Sequence, residues 1–163
     1  MGKTTIKINV FDIKSIEAAE KKLNDYKKDV EAKVKTLLER LATMGAVKAS
    51  IEFSRAIYNG DNDVNISVEE MDNGYKIVAS GAAVLFIEFG SGATYGYGHP
   101  TASEFGMGPG TYNPSSKRWE NPNGWYYGDG NHTYGNPPAE AMYHTAEELK
   151  NEIVRVAREV FAG

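Results

Sequence analysis

The sequence predicts an α+β fold, in which a small antiparallel or mixed β-sheet packs against a long N-terminal helix and a C-terminal helix. Three observations predict it. Apolar residues recur at three- and four-residue steps near both ends of the chain, they alternate with polar residues over short runs, and Gly, Pro and aromatic residues dominate a long stretch between them. A chain of 163 residues has the size of one domain, so we expect residues 1–163 to form a single unit with one long loop insertion.

The composition excludes several classes of function. The chain has no cysteine, which excludes disulfides and thiolate chemistry and fits a reducing cytoplasm. A net charge of −4 provides no overall basic field to hold nucleic acid, and no apolar run approaches the roughly 18 residues of a membrane span. Basic residues outnumber acidic ones ten to seven in residues 1–44, and acidic outnumber basic seven to three in residues 45–90. This asymmetry favours either head-to-tail contact between identical subunits or ordinary solvated faces.

Two elements are expected before residue 45. Residues 4–11 alternate between apolar and polar side chains, which predicts a half-buried strand. Ser15 is a plausible N-cap for a long amphipathic helix over residues 15–44, and Gly45 is suited to end or kink it. The apolar stripe of this helix consists of Ile16, Ala19, Leu23, Tyr26, Val30, Leu37, Leu41 and Met44.

The middle of the chain contains one ambiguous segment and one clear hairpin. Residues 46–58 fit a second helix about as well as a strand, and their alanines favour the helix. Residues 59–63 form a turn that is acidic but lacks the ligand spacing of a calcium loop. Residues 64–80 alternate on both sides of Asn73-Gly74, which predicts a β-hairpin.

Residues 82–90 are the most apolar run of the chain and contain one carboxylate, Glu88. Periodicity does not separate a buried strand from a short buried helix here. Glu88 is either a rim carboxylate bonded to backbone amides of the glycine turn that follows it, or a general acid or base. We favour the first interpretation, because the sequence shows no motif that supplies a partner for a catalytic Glu88. In the least favoured hypothesis the protein is an enzyme in which Glu88 and His99 or His132 act as acid and base.

The loop insertion covers residues 91–137. Residues 91–138 contain all six prolines, ten of the seventeen glycines, nine of the eighteen aromatic residues and only five charges. This composition predicts a loop that becomes ordered by packing, and we expect it to order fully only on assembly. Its rings are candidate anchors of a protein interface or, alternatively, of a carbohydrate site: Trp119, Trp125, Tyr126, Tyr127 and Tyr134. Stacking on nucleic-acid bases is disfavoured, because only Lys117 and Arg118 accompany the rings.

No enzyme motif is present in the chain. His99, His132 and His144 lack the short spacing of a metal pair, and the serines and glycine runs match no nucleophile elbow, dinucleotide fingerprint or P-loop. We therefore expect no catalytic residue, no cofactor and no metal. Pro137-Pro138 predicts the start of a C-terminal helix over residues 138–161, which we expect to cover one face of the sheet.

Two motifs resemble a known family. They are Leu85-Phe86-Ile87-Glu88-Phe89-Gly90-Ser91-Gly92 and the Pro-Pro-led opening Ala139-Glu140-Ala141-Met142-Tyr143 of the final helix. In this order, after a long N-terminal helix and a hairpin, they resemble the tail-completion, or head-to-tail joining, proteins of long-tailed bacteriophages and prophages. The family often shows Glu-Phe-Gly-Thr-Gly where this chain has Glu-Phe-Gly-Ser-Gly. The resemblance spans most of the chain, except the insertion, which varies in such proteins.

The resemblance implies a structural virion protein and not an enzyme. Such a subunit closes into a ring, usually of six copies, at the head-proximal end of the tail. The ring contacts the tail tube or terminator on one side and the neck on the other, and leaves a channel through which DNA passes without sequence-specific binding. Assembly takes place in the bacterial host cytoplasm. The motif residues expected at subunit interfaces, besides the aromatic residues of the insertion, are Glu88, Phe89, Gly90, Gly92, Pro138 and Tyr143. The alternative function is a module that binds cell-wall carbohydrate through the aromatic loop.

Overall fold

The computed structural model describes residues 5–95, 98–107, 121–127 and 130–162. The α+β fold is confirmed: two long helices pack together, and the strands form two separate antiparallel sheets of two strands each. None of the described helices is both long and apolar enough to cross a membrane.

The first helix, α1 (Ile13–Arg55), is continuous over 43 residues and about 65 Å long. The prediction of two helices, at 15–44 and 46–58, is therefore wrong. Gly45 lies inside α1, where an added Cβ would overlap Ile77 Cδ1 and lie 2.7 Å from Leu149 Cδ1. Glycine at this position lets two other elements approach the helix, and the packing outweighs its tendency to end a helix.

The residues before α1 do not form the strand predicted at 4–11, because residues 5–12 have no strand partner among the described residues. Polar side chains bind the backbone locally instead. Asn9 Oδ1 accepts the Phe11 N–H at 3.1 Å, and Asp12 Oδ1 caps α1 by accepting the Lys14 N–H at 3.1 Å. Ser15, the predicted N-cap, accepts the Asn9 N–H at 2.8 Å. Such local bonds compete with strand formation.

Strands β1 (Asn65–Met71) and β2 (Gly74–Ser80) form the predicted hairpin, with Val68 paired to Ile77. The hairpin packs on α1. At its tip, Lys35 of α1 lies 2.9 Å from the Glu70 carboxylate.

The apolar run is helical: α2 spans Val84–Phe89 and ends at Gly90, whose φ is 74°. The Asp63 carboxylate accepts the N–H groups of Ala82 at 2.7 Å and Ala83 at 2.9 Å, just before the helix. These hydrogen bonds from Ala83 and Ala82 lower the pKa of Asp63. A carboxylate brought from another part of the chain therefore holds the start of α2, which periodicity could not reveal.

The insertion contains regular elements. These are α3 (Gly92–Tyr95), a 3₁₀ turn at Ala102–Phe105, and the strands β3 (Trp125–Tyr127) and β4 (Asn131–Thr133), which pair antiparallel. The β-structure is thus divided between two small sheets, because β3 and β4 pair only with each other.

The last helix, α4 (Ala141–Ala162), begins three residues after Pro138, where the prediction placed its start. It runs antiparallel along α1, with Lys48 2.7 Å from Glu148 and Arg40 3.8 Å from Glu159. The prediction that it covers the sheet is wrong, since α1 lies against the hairpin and α4 packs mainly on α1. The buried core lies where the end of α1, the helix α2 and the start of α4 meet, and it consists of Phe53, Ala83, Ile87 and Ala141.

Candidate functional site

Glu88 joins the two motifs that lie about fifty residues apart in the sequence. Its side chain is buried, and its carboxylate accepts the N–H groups of Met142 at 2.8 Å and Tyr143 at 3.1 Å. These are N–H groups of the first turn of α4, which have no acceptor within their own helix. A negative charge at a helix N-terminus is also favoured by the helix dipole. Glu88 therefore caps α4 from a distant element.

The backbone reinforces this cap. Ala139 donates its N–H to the Ile87 carbonyl at 2.8 Å, and Glu140 donates to the Glu88 carbonyl at 3.2 Å. Glu140 has a φ of 53°, which lies outside the helical region. These contacts explain why α4 starts at Ala141 and not at Pro138, because residues 139 and 140 bond to α2 in place of a helical turn.

His99 is the second partner of the Glu88 carboxylate, with Nε2 3.1 Å from Glu88 Oε1. The ring is buried. Its Nδ1 accepts the Thr101 N–H at 3.2 Å, so Nε2 is the ring nitrogen that donates to Glu88. The ring also packs against Phe89 and Tyr143, with centroids 4.4 Å and 5.8 Å away. His99 thus ties the insertion to the capped end of α4.

Ser91 and Asn136 close the base of the insertion. The Ser91 N–H bonds to the Asn136 carbonyl at 2.9 Å, and the Asn136 N–H bonds to the Ser91 carbonyl at 3.2 Å. Ser91 Oγ donates to Asn136 Oδ1 at 2.6 Å, and Asn136 Nδ2 donates to the Phe86 carbonyl at 2.7 Å. We call this unit of Glu88, His99, Ser91 and Asn136 the clasp.

The two glycines of the first motif are required by the clasp. Gly90 has a φ of 74°, and a Cβ there would lie 2.7 Å from the Pro138 nitrogen. Gly92 has a φ of 88°, and a Cβ there would overlap the Tyr134 carbonyl oxygen. Both the left-handed backbone and the close approach of a second chain segment exclude a side chain.

The structure brings most predicted site residues together. Glu88, Phe89, Gly90, Gly92, Pro138 and Tyr143 belong to the clasp or contact it directly. Trp125 is half-buried beside it, lining a cavity of about 220 Å³ with Ser91 and Asn136. Tyr126 and Tyr134 are exposed, on either side of the His132 ring. Tyr127 ends β3, and Trp119 lies outside the described residues.

Sequence reasoning missed the cap that Glu88 provides to α4. The prediction that it bonds to the following glycine turn is wrong, because its acceptor oxygens face α4 and His99. One signal was available: Pro137-Pro138-Ala139-Glu140 offers no Ser, Thr, Asp or Asn to cap α4. An uncapped first turn needs an acceptor from elsewhere. His99 was considered with Glu88 only in the enzyme hypothesis, and Asp63 gave no signal, since each acts across the fold.

An open apolar cleft of about 510 Å³ lies beside the clasp. Both motifs and the insertion contribute to its lining, through Leu85, Phe89, Phe105, Met142 and Tyr143. Leu85 is 45% exposed and Phe105 is 64% exposed. Apolar side chains that remain this accessible around a concave surface are typical of an interaction site.

The chemistry of the clasp is that of a structural cap. Both oxygens of Glu88 accept hydrogen bonds from the protein, so its position is explained without a substrate. Within the described residues, no group of three or more His, Asp or Glu side chains is placed to hold a metal ion. Comparisons of the chain with models of protein families, with curated proteins and with solved structures find no match.

Proposed function

We propose that the chain is a structural virion subunit of a tailed bacteriophage or prophage. In this proposal, copies of the chain close into a ring, of six copies as in the resembled family, at the head-proximal end of the tail. The ring joins the tail tube or terminator to the neck and leaves a channel for DNA. The subunit has no enzymatic activity, is assembled in the bacterial host cytoplasm and becomes part of the virion.

The observation that carries the proposal is the apolar cleft built from both motifs. The motif run supplies Leu85 and Phe89, and the Pro-Pro-led helix supplies Met142 and Tyr143. Residues that carry the resemblance therefore form one surface, although they lie far apart in the chain. If the two motifs form one assembly surface, there is a physical reason for both to occur in one chain, at positions that the fold brings together.

A ring requires two different surfaces that fit each other, because a closed ring is built from head-to-tail contacts. The cleft is one surface in our proposal. The second is the β3–β4 hairpin, where Tyr126 is 67% exposed and Tyr134 is 57% exposed. Exposed aromatic residues are the usual anchors of protein interfaces. The aromatic side chains of one subunit would thus enter the cleft of the next subunit.

The first test is the mass of the protein in solution, measured by light scattering, with negative-stain images of any large species. We expect a ring for the wild type and its loss for Leu85→Asp/Phe105→Asp. Val154→Asp is the matched control, because Val154 is 56% exposed on α4 and lies outside the cleft lining. A ring that survives the cleft variant would refute the assigned surface.

The second test addresses the role in the virion. In a tailed phage that carries the gene, we expect its deletion to leave filled heads and complete tails that do not join, as seen by electron microscopy. Normal virions from the deletion strain would refute the joining role. The cleft variant should reproduce the deletion, and Val154→Asp should restore joining.

Carbohydrate binding is the second candidate, favoured by the exposed row of Tyr126, His132 and Tyr134. The ring centroids of neighbours in this row lie 4.7 Å and 4.8 Å apart. Binding to purified cell-wall polysaccharide that disappears in Tyr126→Ala and Tyr134→Ala, with no ring in solution, would support this candidate over the first. Trp125→Ala tests the half-buried ring in the same assay.

A further inference from the structure

The first part of α1 extends beyond the elements that pack on its second part. Of the seventeen residues 13–29, fifteen are exposed. The hairpin tip reaches α1 at Lys35, and the end of α4 reaches it near Arg40. About 25 Å of helix therefore projects from the body of the subunit.

An apolar seam follows the projecting helix. It consists of Ile16, Ala19, Leu23, Tyr26 and Val30, at alternating steps of three and four residues. Ile16, Leu23 and Tyr26 are 45%, 54% and 46% exposed, whereas Ala19 is already buried by its own chain. Alternating three- and four-residue steps are the pattern of a coiled-coil seam.

The seam lies on the side of α1 that α4 covers farther along the helix. Gly45 and Lys48 contact α4 through Leu149 and Glu148. At 3.6 residues per turn, these positions face the same side as Leu23 and Val30. Thus α4 covers this side of α1 over its second half, whereas Ile16, Leu23 and Tyr26 remain exposed over the first half.

We propose that a second copy of this chain covers the seam, and that the two projecting helices form an antiparallel pair. Leu23 of each copy lies opposite Tyr26 of the other, so the two central layers consist of exposed apolar side chains. In this arrangement the second helix continues the line of α4 and runs in the same direction. It is an isologous contact, in which both copies use the same surface.

The charges beside the seam select both the direction and the register of the pair. In an antiparallel pair, each flanking heptad position lies opposite the equivalent heptad position of the other helix. This places Glu20 opposite Lys27 and Lys22 opposite Asp29 of the other copy. By symmetry this gives four attractive contacts and no repulsive one. The pair thus combines apolar layers with complementary charge along both edges.

The alternative arrangements are all repulsive. A parallel pair places Lys22 beside Lys27 of the other copy, twice. An antiparallel pair shifted by one heptad in one direction places Glu20 beside Glu20 and Lys22 beside Lys22. A shift in the other direction places Lys27 beside Lys27 and Asp29 beside Asp29. Like charges at these positions destabilise a helix pair, so only one arrangement satisfies the sequence.

This inference does not rest on the proposed function. A ring with a tail on one side and a neck on the other has no two-fold axis between its faces, whereas the helix pair requires one. The pair is therefore a form of the free subunit, separate from any ring.

Charge reversal tests the pair in the whole chain. In the Leu85→Asp/Phe105→Asp background, which removes the proposed ring contact, we expect a dimer by sedimentation equilibrium, and a dimer at least about tenfold weaker when Lys22→Glu/Lys27→Glu is added, because all four contacts become repulsive. Glu20→Lys/Asp29→Lys should weaken it similarly. An equimolar mixture of the two variants should recover a 1:1 heterodimer, since every flanking contact is then attractive. Circular dichroism checks that each variant remains helical.

The matched control is Lys21→Glu/Lys28→Glu, which changes the net charge equally on the side of the helix opposite the seam. Added to the same background, it should leave the dimer as strong as in the background protein. Loss of the dimer in this control, or a background protein that stays monomeric at every concentration, would overturn the proposal. So would a dimer that Lys22→Glu/Lys27→Glu leaves unchanged.

Direction is tested separately. Because the chain has no cysteine, Glu17→Cys gives one spin label per copy. The antiparallel pair places residue 17 opposite residue 32, so the two labels lie about 23 Å apart along the axis. A parallel pair places them side by side, and a short interlabel distance would refute the antiparallel arrangement.

Discussion

Replacing Glu88 by glutamine should destabilise the protein, although the two side chains have nearly the same shape. The carboxylate of Glu88 accepts the Met142 N–H at 2.8 Å, the Tyr143 N–H at 3.1 Å and a bond from His99. Glutamine has one acceptor oxygen, and its NH₂ group must face one of the two helix N–H groups. One buried N–H of α4 then has no acceptor in either orientation of the amide.

The expected magnitude follows from these contacts. An unsatisfied buried donor costs about 1–3 kcal/mol, and loss of a charge at a helix N-terminus costs a further 0.3–2 kcal/mol, roughly. We expect Glu88→Gln to lower the free energy of unfolding by about 2–4 kcal/mol, which for a chain of this length lowers Tm by about 5–15 °C. Glu88→Ala should cost at least as much, because it removes every acceptor.

Urea unfolding followed by circular dichroism measures this change. Glu17→Gln is the matched control, since Glu17 is exposed on the projecting part of α1 and its replacement should change stability by less than about 0.5 kcal/mol. A stability of Glu88→Gln equal to that of this control would refute the capping argument. The pair of measurements also separates loss of the cap from loss of charge in general.

The same unfolding assay tests three further predictions. Gly92→Ala should lower the free energy of unfolding more than Gly106→Ala. Both glycines have positive φ, but only Gly92 approaches another backbone segment, while nothing lies within 4 Å of a Cβ on Gly106. Equal losses of stability would contradict the close packing of the clasp. Asp63→Asn should destabilise the protein at neutral pH. Hydrogen bonds lower the pKa of Asp63 in the fold, so its contribution to the free energy of unfolding is complete above the usual pKa of 3.8 and is lost as the pH falls through the lower folded value. The difference in stability between Asp63→Asn and the wild type should therefore shrink in acid. A difference in stability that does not depend on pH would contradict this. Gly45→Leu should cost about 1–3 kcal/mol by overpacking against Leu149, while Gly45→Ala should cost less, because it adds one carbon and raises helix propensity.

The sequence pattern predicted correctly those elements that depend on residues close together in the chain. The hairpin at 65–80 follows from alternation around Asn73-Gly74, and the amphipathic stripe placed α4 to within three residues of its start. These predictions succeed because turn chemistry and periodicity act between residues that are close in sequence.

Where a contact from elsewhere decides the conformation, local pattern failed. Residues 4–11 alternate like a strand, but a strand requires a partner, and the described residues provide none. Gly45 has the propensity to end a helix, yet the packing of Ile77 and Leu149 against it outweighs that propensity. At α2 the Asp63 carboxylate, from another part of the chain, binds the N–H groups of Ala82 and Ala83 just before the helix begins.

The sequence by itself determined the α+β class, the hairpin and the terminal helix. Only the tertiary structure decided what Glu88 does. Its partners, Met142, Tyr143 and His99, lie from 11 to 55 residues away. Hydrogen-bond geometry over such separations depends on how whole elements pack, and one-dimensional periodicity contains no information about that packing.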